Sequence, residues 1–94
     1  MLIRRVKVKP PVSGQAQRIF PLPGDPVWTG PASVTIVSLT SGAIELLDDP
    51  TQAAGQGLAL AGKAERTLAV GAGDELWALV GSGEQEAVVV AGGV

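Results

Sequence analysis

The sequence predicts an all-β protein, a small antiparallel β-sandwich of Greek-key or jelly-roll-like type with an extended N-terminal arm. Apolar residues recur with short period rather than helical spacing, and turn residues interrupt them every several positions. The strongest runs are β-branched, as in VTIV and AVVV. With 94 residues there is room for one core and one arm, and none for a second independently folded unit.

Residues 2–9 alternate, with Val6 and Val8 on one face and Arg5, Lys7 and Lys9 on the other, until Pro10 and Pro11 stop the strand. Residues 12–20 form a second strand candidate. The segment PLPGDPVWTGP then places Pro21, Pro23, Pro26 and Pro31 within eleven residues. Proline fixes φ and removes a ladder donor, so this is an irregular connector rather than a strand in mid-sheet. Residues 1–31 are therefore expected to form a basic, proline-rich arm and connector, and residues 32–94 the compact sandwich.

Residues 33–39 are apolar on both faces, which predicts a central, most-buried strand covered on two sides. A turn at 40–42 leads into 43–47, where Ile44 and Leu46 share a face and Glu45 points away. Asp48, Asp49 and Pro50 close that strand, QAAGQG is a loop, and Leu58 and Leu60 mark a short alternating piece. Residues 65–70 follow, with Arg66, Leu68 and Val70 on one face. The turn GAGD at 71–74 reads as a hairpin connection, since glycine accepts the positive φ such turns need. Residues 75–80 set Leu76, Ala78 and Val80 against Trp77 and Leu79, and Trp77 is expected to pack in the core. Residues 87–91 are the last strand, for a total of seven or eight.

The side chains the sequence lacks narrow its chemistry. Without His or Cys there is no imidazole base, no thiolate, no zinc site of the usual donors and no disulfide. The glycine pairs at 55/57, 71/73 and 81/83 complete neither GxGxxG nor a P-loop and read as turns. Adjacent acids such as Asp48 and Asp49 point apart in an extended chain and lack the intervals of a calcium loop. The expectation is a non-enzymatic protein with no catalytic residue, cofactor or metal. No apolar stretch approaches the roughly 20 residues that span a bilayer, and MLIRRVKVKPP lacks a secretory apolar core, so a soluble protein made in a cytoplasm is expected.

The net charge of −2 hides a polarity. Residues 1–20 carry Arg4, Arg5, Lys7, Lys9 and Arg18 with no acid, giving +5; the remainder carries two cations and nine acids, 2 − 9 = −7. Such a chain attracts copies of itself or an acidic protein surface, and the acidic remainder disfavours nucleic acid. The candidate partner-binding residues are Arg4, Arg5, Lys7, Lys9, Arg18, Phe20 and Trp28, the last an aromatic in the connector. Apolar residues on both faces of two strands add a call for a neighbour, because a two-layer sandwich covers only one face of each sheet.

The succession VTIVSLTSGAIELLDD followed by GLALAGKAERTLAVGAGDELWALVGSGEQEAVVVAGG resembles a recurrent module of small virion proteins in tailed bacteriophages. The matching positions are 37–47, 57–62, 73–78 with its GDELWA, 82–83 and 88–90, about two-thirds of the chain in all. Ser38 stands where that module often has asparagine, and PLPGDPVWTGP has no counterpart. The resemblance implies a small β-sandwich similar to head decoration (cement) proteins and head-fibre base domains. It implies the major capsid protein or another virion protein as partner, self-association with a trimer among the candidate assemblies, and a place on the capsid surface. A tail, connector or fibre-base component is the alternative, and a carbohydrate-binding β-module ranks below both.

Overall fold

The structure is a computed structural model that describes residues 1–10, 16–25, 30–49, 55, 57–81 and 83–93. Eight strands run in chain order: β1 Leu2–Val8, β2 Gln17–Phe20, β3 Ala32–Ser38, β4 Ile44–Leu47, β5 Leu58–Leu60, β6 Glu65–Val70, β7 Leu76–Leu79 and β8 Gln85–Gly93. In the longer strands β1, β3 and β8 burial alternates with the two-residue period of an extended chain. Sheet A has the order β1-β8-β3-β6 and sheet B the order β2-β7-β4-β5, with every pairing antiparallel. This is the strand order of a jelly roll. Consecutive strands change sheet at every connection except that between β4 and β5.

The core lies between the sheets and is built from period-2 side chains of both. Val6 and Val8 enter from β1, Val34 and Ile36 from β3, and Ala87, Val89 and Ala91 from β8. Ile19 and Phe20, Ile44 and Leu46, Leu60, and Leu76 and Ala78 face them from sheet B. The interior holds mostly small aliphatic groups, in keeping with 13 Ala and 12 Val in the chain. Ser38, the one buried polar residue named among this set, donates its hydroxyl to the Thr40 carbonyl at 3.2 Å. That bond offsets the cost of taking the hydroxyl out of water.

Four expectations change. Among the described residues no arm stands apart from the sandwich: β1 pairs with β8 from Leu2↔Ala91 to Val8↔Gln85, and β2 pairs with β7. Val6 and Val8 supply core side chains, so the boundary placed at residue 31 falls inside one continuous wrapping. Second, β3 is central but buried on one face only, because Ser33 is exposed and Thr35 and Val37 are half-buried. Third, the 71–74 turn forms, with the Asp74 N–H donating to the Gly71 carbonyl at 3.1 Å and Gly73 at φ +82°, but it carries the chain from sheet A to sheet B rather than closing a hairpin. Fourth, Trp77 lies on the outer face of sheet B, because Leu76 and Ala78 take the inward parity of β7.

One end of the sandwich is held by close packing of turns. The Gln85 carboxamide oxygen accepts from the Thr40 hydroxyl at 2.5 Å and from the Gly42 N–H at 3.0 Å. Lys63, at φ 61°, donates its N–H to the Thr40 carbonyl at 3.1 Å. A Cβ at Gly62 would lie 2.1 Å from the Ser41 carbonyl oxygen, so this meeting of turns requires glycine.

Candidate interaction surfaces

The cations proposed for partner binding meet different fates because they sit at different parities and heights on their strands. Arg4 shares the inward parity of Val6 and Val8, at the open end of the sandwich. Its guanidinium pairs with Asp25, in the β2–β3 connection, and donates to the Ile19 carbonyl at 2.7 Å. Asp25 also accepts from the Leu22 N–H at 2.6 Å. Burial alone would raise the Asp25 carboxyl, whose side chain is 7% exposed, but the Leu22 hydrogen bond and the Arg4 bond and charge outweigh it and hold the pKa below the ordinary value. The Arg4 Nε is buried without a hydrogen-bond partner. Arg4 thus fastens the proline-rich connector to β1 and is a structural residue rather than a contact. Phe20 is likewise removed from the candidate surface, being 1% exposed in the core. Trp28 lies outside the described residues.

Arg5, Lys7 and Lys9 do face outward along the edge of sheet A. Arg5 pairs with Glu86 on β8 at 3.2 Å, with its side chain still 67% exposed. Lys7 and Lys9 keep exposed side chains, while their backbone is closed by Gln17: its carboxamide donates to the Lys7 carbonyl at 2.9 Å and accepts from the Lys9 N–H at 3.3 Å. A side-chain amide here occupies the edge positions that a neighbouring strand would use, which shortens the exposed edge.

The outer face of sheet A continues inward from this basic edge. Register places Ile3, Val90, Thr35 and Thr67 in one row and Arg5, Val88, Val37 and Glu65 in the next. Ile3 is 67% exposed and the three valines are half-buried. The Thr35 and Thr67 hydroxyls lie 2.8 Å apart on the same face. No described residue from a loop covers these rows, which form a flat apolar strip between a basic edge strand and Glu65.

Sheet B is closed differently. Glu45 projects outward from β4, and its carboxylate accepts from the Gly55 N–H at 2.8 Å and the Gly57 N–H at 2.6 Å. These two backbone bonds lower its pKa against a smaller opposing effect of burial. They hold Gly55 and Gly57 against the sheet, where a Cβ at Gly57 would meet the Leu46 carbonyl oxygen and the Leu47 side chain at 2.4 Å. Leu47 is buried there, 2% exposed, although it points away from the core. Beside it, Glu75 accepts from Arg18 at 3.0 Å and from the Trp77 indole at 3.3 Å, which joins Arg18 and Trp77 into a local cluster. Sequence reasoning singled out neither Asp25 nor Glu45, Gln17 or Gln85. Nothing in a local period identifies them, because Asp25 pairs with the Arg4 side chain 21 residues away and the other three bond backbone 8 to 43 residues away.

Two open clefts accompany these faces. One, of about 590 Å³, lies where β4, β5, β6 and the start of β7 converge, with Leu58 and Leu68 on its walls and Asp48, Asp74 and Glu75 at its rim. The other, of about 600 Å³, lies on the outer face of sheet B above Glu45, Ala59 and Leu79. Among the described residues no three His, Cys, Asp or Glu side chains come together to hold a metal ion. Compared with protein-family models, curated proteins and solved structures, the chain matches none.

Proposed function

We propose that this chain is a non-enzymatic structural protein of a virion, a decoration (cement) protein that binds and stabilises the major capsid protein lattice of a tailed phage. The observation that carries the reading is the outer face of sheet A, a flat apolar strip left open beside the outward cations Lys7 and Lys9. An apolar strip gains free energy on being covered, and the exposed cations steer it to an acidic surface within about 10 Å at moderate salt. The jelly-roll strand order adds support at the level of fold analogy, since that architecture recurs in capsid domains. The module resemblance over residues 37–90 points the same way. On this reading the protein is made in the host cytoplasm and resides on the capsid surface.

The test uses particles of the phage that carries this chain. Heads and tails are separated and the protein quantified in each; enrichment on heads at a fixed ratio to the major capsid protein is expected, and enrichment on tails would replace the head assignment. Purified Lys7→Glu/Lys9→Glu protein is then added to undecorated shells. At least tenfold weaker occupancy, with a flatter salt dependence than wild type, is expected; unchanged occupancy overturns the electrostatic part of the reading.

A further inference from the structure

The outer face of sheet A has a property that its apolar character alone does not require: one of its rows is complementary to itself. Along the row Arg5, Val88, Val37, Glu65, charge stands at both ends with opposite sign and valine stands in the middle. From the geometry we infer that two copies of this chain associate face to face through sheet A, about a two-fold axis running nearly parallel to β8 and β3 and passing between them. Rotation about that axis exchanges β1 with β6 and β8 with β3 at constant height. Arg5 of each copy then lies over Glu65 of the other, Val88 over Val37, and Val90 over Thr35. An isologous interface demands this exchange of residue i for residue j in both directions.

The other two-fold in the plane of the sheet, across the strands, gives a poorer match. It stacks β1 on β1 and β6 on β6, so the cations of the edge strand meet one another and Glu65 never reaches Arg5. The charge pattern therefore selects the axis. Opposite charges at the ends of the Arg5–Glu65 row also fix register, because sliding by one strand places valine against a charge. Arg5 already pairs with Glu86 on its own face, and with its side chain 67% exposed it can reach across to a second carboxylate as well.

The area sets the expected strength. Four strands at about 4.8 Å spacing and five to six residues of about 3.4 Å rise give a patch of roughly 19 by 19 Å, or about 700 Å² summed over both copies. That falls below the roughly 1,200 Å² of stable specific interfaces, so association in dilute solution is micromolar or weaker. The inference concerns the free protein; on the virion reading the same face meets the capsid protein, so the dimer and the decorated shell are competing states of sheet A.

Sedimentation equilibrium of the full chain from about 1 μM to 1 mM tests it, with amide and methyl NMR spectra recorded over the same range. The expected result is a monomer–dimer equilibrium whose concentration-dependent shifts fall on Val37, Val88 and Val90 and spare the Trp77 indole. Glu65→Arg and Arg5→Glu are each expected to weaken dimerisation at least tenfold, and the double exchange to recover most of the loss. Circular dichroism on each variant separates loss of fold from loss of association, and the wild-type NMR shifts need no variant. A monomer at 1 mM, a trimer, shifts confined to sheet B, or a double exchange that recovers nothing would each overturn the inference. A dimer that forms while shells go undecorated would leave it standing and remove only the capsid assignment.

Discussion

The two outer faces of the sandwich begin from the same strand grammar and end in different states. On sheet B the Glu45 carboxylate holds the Gly55 and Gly57 N–H groups against the outer face, and Leu47 is buried beside Gly57. On sheet A Ile3 is exposed and Val37, Val88 and Val90 are half-buried on the outer face. Two sheets bury one face each against the other, so the outer apolar groups of a small-residue sandwich need a second cover. Sheet B finds part of it within its own chain, over Leu47. The other, by the reading above, finds it in another molecule. A carboxylate that captures two backbone donors is what separates the two cases.

The contrast can be broken most severely from the inside. Phe20→Ala removes the largest fully buried side chain and is expected to lower stability by about 3–5 kcal/mol, read as a shift of the urea midpoint at unchanged slope. If Phe20 were a partner contact instead, that shift would be within about 0.5 kcal/mol. Arg4→Met comes next, at about 3 kcal/mol, because it leaves the Asp25 carboxylate enclosed and unpaired. Adding Asp25→Asn to it is expected to restore part of the loss in thermal unfolding, since a neutral amide needs no counter-charge.

Gly57→Ala tests the cover of sheet B directly. The new Cβ meets backbone at 2.4 Å, and an expected loss of about 1–3 kcal/mol should be accompanied by exposure of Leu47, seen as faster amide exchange along β4. Glu45→Gln is expected to have a smaller effect in the same place, with a defined pH dependence. The folded Glu45 pKa is lowered from 4.5, so its contribution is fully present above pH 4.5 and is lost as pH falls through the folded pKa. The midpoint gap between wild type and variant should therefore close below pH 4.5; a gap constant down to pH 3 would sink the role given to the carboxylate. Val90→Thr, on the open face of sheet A, should change the stability of the dilute protein least, within about 0.5 kcal/mol by the same urea titration.

How far the strands could be read ahead of the fold shows in particular residues. Val6 and Val8, Ile44 and Leu46, and Leu76 and Ala78 were assignable to common faces because successive side chains in an extended chain alternate whatever the strand pairs with. Arg4 obeys that same parity, but its partner Asp25 is 21 residues away and its role as an internal tie follows from where the connector folds. Trp77 obeys it too: it alternates with Leu76 and Ala78, and because those two take the inward side it falls on the outer face rather than in the expected core. The basic segment was legible as a strand and illegible as part of the sandwich, since its pairing with β8 joins residues 77 to 89 positions apart.

By itself the sequence determined the all-β class, the approximate strand bounds, the inward residues of most strands and the lack of imidazole and thiol chemistry. These follow from side-chain identity and from the two-residue period of an extended backbone. Which sheet each strand joins, whether a glycine turn closes a hairpin or crosses between layers, and which outer face is left open were decided only in the tertiary structure. The turns at 40–42 and 71–74 are locally the same kind of object as a hairpin turn. What sends the chain across the sandwich is the pairing of β1, β8, β3 and β6 over long sequence distance, an energy that no local window contains.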